Sequence, residues 1–328
     1  MQKFTIFSIA TLVAALTFAT TAHAAETLRA TTMLPRTVTY TDSFMAFVDA
    51  VNNDPAGEVT IQFVGGPEAI PTSEQPEAVR NGVVDMVYGP ATYYLGMVPE
   101  VDALLGSNLS PETQRANGGI ALLDDIHQSR LNAKLLAHPD AGHGFHIYLT
   151  EQPSIDARGM PDLSGQRIRG AQLYREFFRS LGATYVAIKV PEVYTALERG
   201  TVSGVGWPSV GIMDLSWDKF LRYRIDPAYF QTDLVILVNL DRWNALGDAA
   251  KAVLTRLAIE HEIASAAAFQ AREIEEVAEM RRRGIEMVAL EASAGTTYST
   301  YAIETAWARL KDRDDTHYDA LRAKFYKQ

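Results

Sequence analysis

The residue best placed to do chemistry in this chain is Arg169. It closes a short segment, 166–170, within a stretch, 162–208, that alternates strand and helix signals. Alternation of that kind builds a parallel sheet, and ligands on such sheets bind beyond the carboxyl ends of the strands. An arginine there is a fixed positive charge suited to an anion, unless it is used up in a salt bridge within its own domain. Arg167 shares its strand face but lies deeper in the strand and reads as solvated. Loops that end strands near the N-terminus bring further groups. Residues 33–40 contribute Arg36 and Tyr40. Residues 65–70 contribute Glu68 behind Gly65-Gly66-Pro67, where glycine allows close backbone approach to a ligand. Glu68 could accept from a ligand amine or hydroxyl, or simply be a solvated loop carboxylate. Residues 88–94 carry three tyrosines, of which Tyr88, at the strand end, is preferred to Tyr93 and Tyr94.

Catalytic constellations are poorly represented. His138, Asp140, His143 and His146 cluster in HPDAGHGFH, but the spacing matches no hydrolytic zinc motif, and the segment reads as a loop feeding a strand at Phe145. His261-Glu262 has no second histidine four residues on. Neither a G-x-S-x-G elbow nor a glycine-rich phosphate loop is present. No metal and no cofactor is expected.

The elements that must position these groups follow from periodicity. In the central stretch, 166–170 is a strand, and 173–181 is a helix with Tyr174, Phe177, Phe178 and Leu181 on one face, closed by Gly182. A strand at 185–188, a helix from Pro191 to Gly200 and a strand at 202–207 complete it. Closer to the N-terminus, a strand at 27–32 precedes a helix with Phe44, Phe47, Val48 and Val51 at helical spacing. A strand at 59–64, a helix at 73–81 and a strand at 83–88 follow. The pattern therefore occurs twice, which predicts two α/β domains. Residues 111–137 read as helical. Two extended apolar runs, 144–150 and 232–239, are expected to cross between the domains as a hinge, or else to be central strands of one domain each. From Asp248 a helix runs without Pro or Gly to Arg283, about 54 Å at 1.5 Å per residue, long enough to span both domains. It lacks the sustained a/d leucines of a dimerising coiled coil, which favours a monomer. A strand at 285–290 and surface helices at 297–311 and 315–326 end the chain.

Composition narrows the function classes. The chain has 328 residues, 47% hydrophobic and 21% charged, enough for one large or two medium buried cores. Its formal charge of −10 disfavours nucleic acid and anionic membrane surfaces as partners. The absence of cysteine removes disulfides, thiolate metal sites and cysteine nucleophiles together. At the N-terminus, Lys3, an apolar run at 4–18 and Ala22-His23-Ala24 form a signal peptide with an A-x-A cleavage site. Residues 1–24 are therefore expected to be removed. With no cysteine at the cleavage point, the exported product is expected not to be lipid-anchored.

The central stretch resembles the solute receptors of tripartite ATP-independent periplasmic (TRAP) transporters, of the dicarboxylate-receptor type. Their pattern runs D-L-x-G-x-x-I-R, an L-G-A helix end, then E-V-Y-x-A-L-x-x-G-x-V-x-G. Here it is carried by Asp162, Leu163, Gly165, Ile168 and Arg169, by Leu181-Gly182-Ala183, and by Glu192-Val193-Tyr194, Ala196-Leu197, Gly200, Val202 and Gly204. Val79-Arg80-Asn81-Gly82 before Asp85-Met86, the signal peptide and the single long helix also fit.

The resemblance implies a two-lobed α/β clamshell, each lobe a sheet flanked by helices, with one long helix across both. Lobe I would comprise 25–149 with about 238–277, and lobe II 150–237 with about 278–328. Such a receptor closes on a small organic acid in the periplasm and hands it to a TRAP permease in the membrane. Enzyme action is not implied; a periplasmic lyase or hydrolase acting on a small carboxylate is the alternative. The strand-end arginine that grips the ligand carboxylate maps onto Arg169, and a planar guanidinium offers two parallel donors to the two oxygens. The chain departs from the pattern around Gly204 of the third strand, where Ser203 stands in place of an acidic residue and Val205-Gly206-Trp207-Pro208 replaces a polar run. Trp207 adds a flat apolar wall and one N–H donor, which moves the expected ligand from a polar dicarboxylate to a monocarboxylate with an apolar or aromatic body. Tyr194 matches the motif, although helix packing explains it equally.

Overall fold

The structure, a computed structural model, describes residues 25–327; the expected signal segment lies outside them. Strands β1 (Glu26–Thr32), β2 (Val59–Gly65), β3 (Met86–Pro90) and β4 (Ala133–Ala137) come first. β5 (Phe145–Leu149) is followed by a small hairpin of β6 (Ser154–Ile155) and β7 (Pro161–Asp162). Then come β8 (Arg167–Arg169), β9 (Thr184–Val186), β10 (Gly204–Pro208), β11 (Tyr223–Asp226), β12 (Leu234–Asn239) and β13 (Glu286–Ala289). They assemble into two main sheets, ordered β2-β1-β3-β12-β4 and β13-β11-β5-β10-β8-β9. Each is mixed. β1 runs parallel to β2 and β3, and β8 parallel to β9 and β10, whereas β12 and β5 enter antiparallel.

Both faces of the first sheet are covered. Leu28, Ile61, Met86 and Ile236 face Phe44, Phe47 and Val51 of the helix Thr39–Asn52 and Leu254 and Ala258 of the long helix. Val87, Leu135 and Leu237 face Leu123 and Leu131 of the helix Gly119–Leu131. That is why all six residues of β12 are buried. The second sheet likewise places Ile147 and Ile168 against Phe177, Phe178 and Tyr229, and Val205 and Trp207 against Val193, Trp217 and Leu221. The long helix, Asp248–Arg282, is 35 residues. Its Leu254 and Phe269 pack in the first lobe and its Met280 in the second, so it ties the two together.

Three expectations need correction. The segment 111–137 is two helices, Pro111–Ala116 and Gly119–Leu131, and then a strand. Its last five residues are alanine, lysine and leucine, good helix formers, yet pairing with β12 makes them β4. The extended runs are not themselves the crossings: β5 lies inside the second sheet and β12 inside the first. The chain changes lobe just before each of them, at 138–144 and 227–233, where Gly144 and Gln231 form an isolated antiparallel bridge. The lobe boundaries drawn at 149/150 and 237/238 move accordingly. The C-terminal helices do not belong to the second lobe alone. In the helix Ala292–Arg313, Trp307 Nε1 donates to Gly106 O at 2.9 Å while Tyr298 meets Phe177 edge-on at 5.1 Å, and Ser107 Oγ donates to Phe325 O at 2.7 Å.

Buried titratable groups make stability depend on pH with a calculable sign. Burial pushes His127 and His261 down to about 4 and His143 to about 3. Folding therefore releases their protons, and stability is lost as pH falls from the unfolded value of 6.5 toward 4. Burial raises Asp140 and Asp233 to about 6, against the hydrogen bonds that lower them, which works the other way between 6 and 3.8. The histidines start from the higher unfolded value of 6.5 and so titrate almost fully across pH 7 to 5, whereas the acids respond only below about 6. Acidification from pH 7 to 5 is thus expected to cost on the order of a few kcal/mol. Thermal melts across that range test it; a Tm that rises on acidification contradicts it.

Candidate functional site

Strand ends of the two sheets line one common cleft. In the second sheet Arg169 ends β8 in register with Val205 of β10, so two-residue alternation puts Arg169, Val205 and Trp207 on one face. Phe145, paired with Pro208, begins the antiparallel β5 at the same edge. In the first sheet the matching edge is Pro90 at the end of β3, paired with Leu234 at the start of β12. Between these strand ends lies a narrow cleft of about 40 Å³, lined from both sheets.

Arg169 lines this cleft and is only 6% exposed. Its Nε donates to Ile188 O at 3.0 Å, which fixes the plane of the guanidinium. The Trp207 and Trp217 rings lie together on one side of it, with centroids 5.7 and 6.0 Å from Cζ. Among the described residues no carboxylate pairs with it. Indole faces hold a cation without neutralising it, so the guanidinium keeps its capacity for an anion.

Trp207 and Tyr40 also line the cleft. Trp207 stands edge-on to Trp217 at 4.9 Å, and its buried Nε1 has no hydrogen-bond partner. Tyr40 reaches in from the helix Thr39–Asn52. Its hydroxyl contacts His143 Nε2 at 2.9 Å and donates to Val210 O at 3.3 Å, and its ring stacks on Phe269 at 4.8 Å. The wall at Gly206 must be glycine, because a Cβ there would lie 2.5 Å from the Tyr229 hydroxyl and 2.7 Å from Phe178. Below the cleft the lobes are latched. Asp214, in the loop after β10, accepts from Thr39 N at 2.8 Å and Thr39 Oγ1 at 2.7 Å, a carboxylate at the start of the first lobe's helix. Glu276 of the long helix holds the same loop through Gly211 N at 2.9 Å.

Four residues singled out from sequence lie elsewhere. Tyr88 is fully buried one pleat back from the strand end, stacked on Phe44 at 4.9 Å and donating its hydroxyl to Asp140. β3 continues two residues past it, so the cleft receives Thr92 and Tyr93 instead. Glu68 accepts from Gly66 N at 2.7 Å and thereby closes its own turn. Arg36 lies over the Phe63 ring at 4.9 Å on the surface. Tyr194 packs edge-on to Phe220 at 5.0 Å within the second lobe. Arg167 is exposed, as expected, and donates to the carbonyls of Gly200 and Thr201. In HPDAGHGFH the histidines are engaged separately. His138 contacts Gln114 and Thr232 O, His143 contacts Tyr40, and His146 contacts Ile225 O. Among the described residues no three His, Asp or Glu side chains are grouped to hold a metal ion.

Sequence reasoning missed Asp233, together with Tyr93, Tyr174, Thr92 and Phe145, all lining the cleft. Asp233 is 2% exposed, and its Oδ2 accepts from Thr92 N at 2.7 Å. Burial raises it to about 6, opposed by the hydrogen bonds from Thr92. Burial also raises the Tyr93 hydroxyl; Arg169 pulls it down and Asp233 pushes it up, so both charges act on that ring. The signal was available: one acid at the head of an otherwise apolar run, Thr232-Asp233-Leu234-Val235-Ile236.

Known proteins share this architecture. A TRAP transporter solute-binding protein of Bordetella bronchiseptica, crystallised with calcium and picolinate, superimposes with a TM-score of 0.79 over 92% of this chain and 90% of its own, at 20% identity. A Bordetella pertussis extracytoplasmic solute receptor binding pyroglutamic acid also scores 0.79, over 92% of this chain and 100% of its own, at 17% identity. At such identities these likenesses speak to the fold alone. A monocarboxylate 2-oxoacid-binding periplasmic protein of Nostoc is 26% identical over 56% of this chain, which spans about half, 51%, of that relative. No helix among the described residues is long and apolar enough to cross a membrane. Residues 30–309 match the model of the bacterial extracellular solute-binding proteins of family 7, and with the two-lobed fold and the strand-end arginine, the chain belongs to that family.

Proposed function

We propose that the protein is a periplasmic receptor that captures a small organic acid, clamps its carboxylate on Arg169 and delivers it to a TRAP-type membrane permease. The observation that carries this reading is the Arg169 guanidinium, buried at the cleft against two indole rings and free of any acidic partner among the described residues. Such an arrangement is unfavourable for an isolated charge and favourable once an anion arrives, provided other donors complete the carboxylate. Family membership supports a receptor over an enzyme. The walls of Trp207, Phe145, Tyr174 and Leu34 favour a monocarboxylate with an apolar body.

Closure follows from differential affinity. The carboxylate meets Arg169 in the second lobe, and the first lobe then covers the ligand's other end, which stabilises the closed form over the open one. A thermal-shift screen of the purified protein against organic acids, sugars and neutral amides tests the proposal. Monocarboxylates should raise Tm and be recovered unchanged. Stabilisation by sugars but not by acids, or turnover of the acid, would refute it.

A further inference from the structure

We infer that Asp233 makes this receptor selective for monocarboxylates that also carry a hydrogen-bond donor, an ammonium or a hydroxyl, and against 2-oxo acids and dicarboxylates. This rests on the carboxylate-receptor reading above and refines it.

The cleft contains two opposite charges that do not neutralise each other. Arg169 belongs to the second lobe, while Asp233 ends the crossing at 227–233 and is tied to the first lobe through Ala91 N and Thr92 N; both line the same space, and no ion pair joins them. A ligand carboxylate on Arg169 satisfies that cation and leaves Asp233 as the uncompensated charge. Its carboxylate accepts from Thr92 N and is served by the Thr92 hydroxyl, neutral donors that leave its charge unpaired. Among the described residues no Lys, Arg or His forms an ion pair with it. A buried carboxylate accepts hydrogen bonds and offers none while ionised. Three ligand ends can then be ranked. A second carboxylate would face Asp233 with like charge. A keto oxygen would bring acceptor against acceptor. A hydroxyl supplies the missing donor, and an ammonium supplies donor and charge together.

The two charges are tied to different lobes, so a ligand bearing both groups bridges them only when the lobes are closed. Selectivity and closure are thereby coupled: an acid without the donor can bind Arg169 but gains less from shutting the cleft. A site built to pair a substrate donor discriminates strongly against the analogue that lacks it, because the buried acceptor is then left unmatched.

The test is calorimetry with matched sets that share one apolar body: phenylpyruvate, phenyllactate and phenylalanine, and the corresponding 2-oxo, 2-hydroxy and 2-amino acids with a branched four-carbon side chain. Wild-type protein should bind the hydroxy or amino member at least about tenfold more tightly than the oxo member. Asp233→Asn keeps the shape and the acceptor for Thr92 N. It should shrink that gap by about tenfold, by weakening the hydroxy and amino acids and by tightening the oxo acid, to whose keto oxygen the amide can donate. The hydroxy and amino arms show which donor is preferred. Equal or tighter binding of the oxo acid by wild type overturns the inference even if the variant fails to fold. So does a gap that survives in a folded Asp233→Asn protein. Failure of every acid to bind wild type removes the underlying receptor reading, and this refinement with it.

Discussion

Arg169→Ala is expected to abolish measurable capture of the organic acid while the protein still folds. The guanidinium offers a carboxylate two charge-assisted donors, and truncating one partner of such a buried pair costs about 2–5 kcal/mol, or roughly 30- to several-thousand-fold in Kd. The empty protein loses much less. Arg169 gives the fold one hydrogen bond, to Ile188 O, and contact with two indoles. Arg169→Lys separates charge from geometry: it retains a cation, loses the planar fork, and should fall between wild type and alanine. Titration calorimetry on an acid from the screen measures all three. An alanine variant that binds as wild type would show the anion to be held elsewhere.

Gly144→Ala should damage the protein in a different way, through the crossing between lobes. A Cβ on Gly144 would lie 2.5 Å from Ala228 Cβ and 2.7 Å from Phe230 O. Neither neighbour is a flexible side-chain tip. Phe230 O already accepts from Phe145 N at 2.9 Å, and Gly144 O accepts from Ser209 N at 2.9 Å, so the backbone is pinned on both sides. Forcing the two crossing segments apart is expected to cost roughly 1–3 kcal/mol, with a loss of affinity because the same segments set how the lobes meet. Urea denaturation reads the first effect and calorimetry the second. Unchanged stability would mean that the crossings part easily.

What the sequence disclosed followed the range of the interactions involved. The stretch 162–208 was legible element by element, because glycine stops, a proline at a helix start and apolar periodicity are local signals. β4 was not. Its leucines and alanines favour a helix, and only pairing with β12, about a hundred residues later, makes them a strand. The tyrosines failed for a related reason. Whether Tyr88 or Tyr93 faces the cleft depends on where β3 stops, which is decided by Leu234 pairing with Pro90. Glu68 was read as reaching outward when its nearest donor, Gly66 N, was two residues away. Arg169 needed no long-range information, since strand end and side-chain chemistry coincide in one residue.

The pair of indoles beside Arg169 has a practical consequence. Of four tryptophans in the chain, Trp207 and Trp217 stand against the guanidinium, while Trp243 and Trp307 belong to other parts of the molecule. Indole emission responds to nearby charge and to water, and an acid arriving at Arg169 as proposed is expected to alter both at once for half of the fluorophores. The protein thus carries a built-in optical reporter, and stopped-flow emission can time loading and release without attaching a dye.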